Sequence, residues 1–109
     1  MQIPVQVTFR NMTHSNKVEE AVRERAAKLD QFHPHIMGCR VVIEPASQRH
    51  RRGGTFHVRI DVTVKGSEIV VGHEHGEDPS HEDPYVAVGD AFDAARRRLM
   101  DHAQRVRSE

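Results

Sequence analysis

Ile3, Val5, Val7 and Phe9 alternate with Gln2, Gln6, Thr8 and Arg10. A period of two predicts a strand with one buried face. Pro4 lies near its start, where a missing ladder donor is tolerated. After a polar connection from Asn11 to Ser15 the period lengthens. Val18, Ala21, Val22, Ala26, Leu29 and Phe32 recur at helical spacing, with Lys17, Glu20, Arg23, Glu24 and Lys28 opposite. That pattern predicts an amphipathic helix. Ser15 or Asn16 can cap it, and Asn16 with Glu19 would make a capping box. Glu19–Arg23 and Glu24–Lys28 are favourable pairs one turn apart, and Pro34 ends the helix. A second strand is expected from Cys39 to Glu44, opened by Gly38 and closed by Pro45.

The cleanest alternation follows. Phe56, Val58, Ile60, Val62 and Val64 interleave with His57, Arg59, Asp61, Thr63 and Lys65, predicting a third strand. Lys65-Gly66-Ser67 reads as a tight turn. Glu68 to Gly72 reads as a fourth strand, antiparallel to the third. Residues 72–84 form a loop rich in His and acid. Asp83-Pro84 then starts a second helix, because Asp accepts from orphan amides and Pro suits the first helical position. Its apolar stripe is Tyr85, Val88, Phe92, Ala95, Leu99 and Val106, with His102 and Ala103 between the last two.

The order is β-α-β-β-β-α. The first strand, helix and second strand suggest a right-handed crossover joining parallel strands. Two amphipathic helices and an alternating sheet predict an α+β two-layer sandwich, a four-stranded mixed sheet with both helices on one face. His57, Arg59, Asp61 and Thr63 would face water on the other side. A chain of 109 residues supports one core, so residues 1–109 are expected to be a single domain.

Composition adds a segregation of charge. Sixteen Lys and Arg balance sixteen Asp and Glu. Residues 74–83 nevertheless carry five acids and no Lys or Arg, while residues 94–107 carry five arginines against one Asp. A basic partner surface can therefore exist only as a local patch. The single cysteine, Cys39, forms no internal disulfide and points to a reducing compartment. No apolar run approaches the roughly 20 residues of a membrane span, and the N-terminus is too polar for a signal peptide. A cytoplasmic protein is expected, with no membrane partner.

Three groups of residues could carry chemistry. Arg96, Arg97, Arg98 and Arg105 suit phosphate, since guanidinium is always charged and its planar fork matches phosphate oxygens. They also suit a solvated helix end favoured by the helix dipole, and Asp93–Arg97 and Asp101–Arg105 can pair internally. Arg49, Arg51 and Arg52 have no acid near them in sequence. They could form a second nucleic-acid patch or an ordinary soluble loop. His73, His75 and His81 could bind a metal or simply carry pH-sensitive charge. No fingerprint of a hydrolase, nucleotide-binding loop or dinucleotide fold is present. Cys39 sits inside an apolar strand, where an inert thiol is expected. Catalysis and a cofactor are not indicated.

With this element order in hand, the chain resembles the ribosome hibernation-promoting factor family, also called ribosome-associated translation inhibitors or ribosomal subunit interface proteins. The likeness runs from Gln2 to about Arg105 and is densest in Ser15 to Phe32, FHVRIDVTV (56–64), EIVVG (68–72) and HEDPYVAVGDAFDAARRRL (81–99). In the last stretch Asp83, Tyr85, Ala87, Val88, Arg97 and Leu99 match the family's Asp-x-Tyr-x-Ala-Ile and Arg-x-Leu pattern.

The resemblance implies a short-form member with a fold similar to double-stranded RNA-binding domains. It implies binding to the small ribosomal subunit and its ribosomal RNA in stationary phase or stress. The expected seat is the channel for messenger RNA and transfer RNA, where binding blocks initiation and preserves idle ribosomes. Matching residues on the basic helix faces are Arg25, Lys28 and Arg97. Arg98, Arg105 and the loop arginines Arg49, Arg51 and Arg52 join them on charge and location. Ala94, Asp101 and Ala103 stand where members carry lysine, which lowers the expected affinity. Long members pair ribosomes through an extra C-terminal domain, so pairing is not expected of this chain alone, though other hibernation factors are conceivable partners. DNA is not an expected ligand. Two other classes stay open on the residues alone: a metal- or pH-responsive module using the 73–83 loop, and a free RNA-binding protein.

Overall fold

The computed structural model describes residues 3–33, 35–45, 55–72, 80–81 and 83–108. Its elements are β1 (Val5–Phe9), α1 (Asn16–Phe32), β2 (Ile36–Pro45), β3 (Phe56–Val64), β4 (Ser67–Val71), β5 (Ser80–His81) and α2 (Pro84–Ser108). The expected α+β sandwich forms. The strands lie in the order β1-β2-β3-β4, with β1 parallel to β2 and the remaining pairs antiparallel. One element is additional. β5 pairs with Phe56 and His57 inside the stretch expected to be all loop. Two residues are too few to show alternation, so β5 leaves no signal in the sequence.

The alternating faces sort as the pattern requires. Val41, Ile43, Val58, Ile60 and Val62 are completely buried beneath the helices. Val18, Val22, Ala26 and Leu29 of α1 close over the β1–β2 side, and Ala87, Val88, Ala91, Phe92, Ala95 and Leu99 of α2 close over β3 and β4. On the open face the register sets Arg40 beside Asp61 and Val42 beside Arg59, with Glu44 beside His57. β2 starts earlier than expected because buried Ile36 joins the sheet through a register shift before Gly38.

Three stripe residues are corrections. Phe32, Tyr85 and Val106 are 43%, 45% and 57% exposed, not core. Helical period reports an angle around the axis, not where the sheet beneath stops. The buried part of α2 runs only from Ala87 to Leu99, and the helix overhangs it at both ends.

Local caps fix where the helices begin. The Ser15 hydroxyl accepts from the Val18 amide at 3.3 Å, so Ser15 is the cap and Asn16 is the first helical residue. Glu19 then falls one place beyond the capping-box position. It pairs instead with His14 at 3.0 Å and Arg23 at 2.9 Å. At α2 the Asp83 carboxylate accepts from the Tyr85 amide at 2.9 Å, as its sequence predicts. Pro34 lies outside the described residues; α1 ends at Phe32, with the His33 amide donating to the Leu29 carbonyl at 2.8 Å.

Each helix also supplies an arginine to the outer strand beneath it. Arg23 Nη1 donates to the Val5 carbonyl at 3.3 Å on β1, and Arg98 Nη1 donates to the Val70 carbonyl at 2.6 Å on β4. Unpaired backbone groups on such margins are where sheets add further strands, and charged side chains there oppose it. No helix among the described residues is long and apolar enough to cross a membrane.

Candidate nucleic-acid interface

The two helices lie side by side and run parallel. A Cβ added to Gly89 would sit 3.1 Å from Arg25 Nη2. Seven residues further along both helices, the Arg96 guanidinium lies over the Phe32 ring, 4.3 Å from its centroid. In α2 Asp90 and Asp93 precede Arg96 and Arg97, whereas in α1 acids and bases interleave from Lys17 to Asp30. Parallel packing in this register sets Arg25 beside Gly89 and Phe32 beside Arg96, with Lys28 between these two crossing points.

The arginine triplet fans out. Successive helical residues are turned by about 100°, so three in a row cannot share a face. Arg96 turns to α1, and Arg98 turns to β4. Arg97, between them, is exposed to solvent. The sequence-derived residues therefore divide. Arg25, Lys28 and Arg97 lie on the helix layer. Arg98 and Arg105 instead line a groove along β4, together with Ser67, Glu68, Asp101 and His102. Arg49, Arg51 and Arg52 lie outside the described residues. The strand ends that bracket them, Pro45 and Phe56, pair with each other where β5 leads into α2. Arg96, a phosphate candidate by residue type, is not among the residues assigned to the helix faces by resemblance or by charge and location. Its place beside α1 depends on the packing of two segments far apart in the chain.

Few of the expected ion pairs on this layer close. Of the expected one-turn pairs only Glu19–Arg23 closes; among the described residues Glu24–Lys28, Asp93–Arg97 and Asp101–Arg105 do not reach ion-pair distance. Exposed pairs of this kind gain a fraction of a kcal/mol, too little to hold two long side chains together. Arg25, Lys28, Arg96 and Arg97 thus have no ion-pair partner among the described residues.

Gly89 is what seats Arg25. Glycine within a helix is about 1 kcal/mol less favourable than alanine, but its missing side chain leaves room for the guanidinium. Gly89→Ala should raise the melting temperature by a few degrees, since only the flexible end of Arg25 has to move. The same change re-aims the Arg25 guanidinium. A lower melting temperature would show that Arg25 is rigidly held there.

His33, His35 and His102 gather at the C-terminal end of α1, next to Phe32. The His33 and His35 rings meet edge to face, with centroids 6.2 Å apart. Burial holds the His33 pKa below its usual value, and the charges of His35 and His102 add to this. Its Nδ1 is buried without a hydrogen-bond partner. The unfolded chain therefore takes up this proton at higher pH than the folded one. Stability is present above about pH 6.5 and falls as pH drops below it. Melting curves across that range should fall less steeply for His33→Leu than for the wild type; equal slopes would remove His33 from the effect.

Among the described residues no set of three His, Cys, Asp or Glu is placed to hold a metal. His73 and His75 lie outside those residues, and of His81 only the backbone is described. Cys39 is buried, and burial, with Asp61 nearby, pushes its thiol up to about 12. That is the inert thiol expected.

Comparison with known proteins is consistent with this geometry. The pattern of the family described as Sigma 54 modulation protein / S30EA ribosomal protein matches residues 5–107. No curated protein matches the sequence. Among solved structures, a ribosomal subunit interface protein from Coxiella burnetii superposes with a TM-score of 0.76 at 14% identity, covering 94% of this chain and 99% of the other. The N-terminal domain of Protein Y from Thermus thermophilus superposes with a TM-score of 0.67 at 20% identity, covering 91% and 96%. At these identities the likeness establishes the fold.

Proposed function

Because this chain belongs to the Sigma 54 modulation protein / S30EA ribosomal protein family, we propose that it is a non-enzymatic, ribosome-binding inhibitor of translation. Its ligand is RNA of the small subunit, met by the helix layer in the channel where messenger RNA and transfer RNA run. Occupying that channel in stress or stationary phase keeps idle ribosomes silent and intact. The single observation that supports this reading is the set of exposed cations along the paired helices, Arg25, Lys28, Arg96 and Arg97, none of them in an ion pair among the described residues. Phosphate contact by such cations releases condensed counterions, so binding weakens as salt rises. The test is co-sedimentation with ribosomes across a salt series. The chain should pellet with the small subunit at low salt and be released as salt increases. A chain that stays in the supernatant at every salt concentration overturns the proposal.

A further inference from the structure

Phe32 ends α1 and is 43% exposed, although its position in the stripe marks it for the core. Arg96, itself exposed, covers that ring at 4.3 Å. An aromatic ring and a guanidinium in contact at the surface offer a base both a π-face and a planar cation to stack on. Around it are Lys28, one turn earlier on α1, and Arg97, the next residue on α2. We propose that the Phe32–Arg96 pair is a stacking site for an unpaired RNA base, with Lys28 and Arg97 holding the phosphates on either side. The inference rests on the reading of the helix layer as an RNA-binding face.

The chemistry selects this ligand. Unstacked bases are recognised on aromatic rings and arginine planes, whereas bases inside a duplex offer no free face. Stacking tolerates any base, since each presents a π-face. The site therefore distinguishes single-stranded from duplex RNA without reading sequence. A phosphate alone would gain nothing from Phe32, and an acidic peptide would gain nothing from a flat ring.

The test uses the full chain with a short single-stranded RNA and the same RNA annealed to its complement. Phe32→Leu keeps an apolar group but removes the ring, and Arg96→Lys keeps the charge but removes the plane. Each should lose on the order of tenfold in affinity for the single strand, with duplex affinity and the salt slope unchanged. The chain has no tryptophan, so Phe32→Trp places one reporter at the site. Its fluorescence should be quenched by the single strand and not by the duplex. Wild-type affinity in Phe32→Leu, an equal loss on both RNA forms, or no binding of the single strand by the wild type would each overturn the proposal. Thermal melts confirm that the exposed substitutions leave the fold intact. Ribosome co-sedimentation is scored separately: a wild type that stacks on the single strand but does not pellet keeps this site and loses the ribosomal function.

Discussion

Leu99→Ala is expected to lower stability by about 3 kcal/mol, a fall in melting temperature of roughly 10–25 °C for a chain of this size. Leu99 is fully buried and is the last α2 side chain to reach the core over β3 and β4. Truncation removes favourable burial and leaves a void that the sheet beneath, with its rigid β-branched side chains, fills poorly. Val106 continues the same helical stripe but is 57% exposed, so Val106→Ala should change stability by less than about 0.5 kcal/mol. Differential scanning calorimetry on both variants measures the contrast. Similar melts for the two would mean that α2 is not anchored through Leu99.

Reversing charge on the helix layer should have the largest effect on binding. Arg25→Glu and Arg97→Glu replace exposed side chains on different helices, so neither removes a core contact. Each should weaken ribosome co-sedimentation by roughly tenfold or more and lower the salt slope by about one. The double variant should lose more than either single one, because it replaces two exposed cations of the helix layer by two carboxylates. The converse change, Asp93→Asn, removes an acid one turn before Arg97 and should strengthen binding modestly. Unchanged pelleting of both reversals would remove Arg25 and Arg97 from the interface.

Much of this architecture is legible from local pattern. Alternation in Phe56–Val64 is explicit, and one buried face per strand decides which side carries the helices. Parallel pairing of β1 and β2 follows from the helix between them. What the chain hides is set by contacts between distant segments. The role of Gly89 is visible only once Arg25 lies across it, and Phe32 reads as core until the end of the sheet is known. Spacing allows ion pairs within α2 that do not form among the described residues, because proximity permits a contact without making it worth the ordering of both side chains. Of the arginine triplet, the sequence shows that its members must diverge; only the packing shows that Arg96 goes to α1 and Arg98 to β4.

The overhang of α2 gives its arginines unequal value. Arg97 rises from a turn pinned on either side by Ala95 and Leu99. Arg105 rises beyond Leu99, the last buried residue of the helix among the described residues, and next to the exposed Val106. Helix ends without packing open and close readily. A polyanion that engages Arg105 must first still that end, and the lost motion offsets part of the attraction. Two identical side chains on one helix thus differ in worth by how firmly the backbone beneath them is moored.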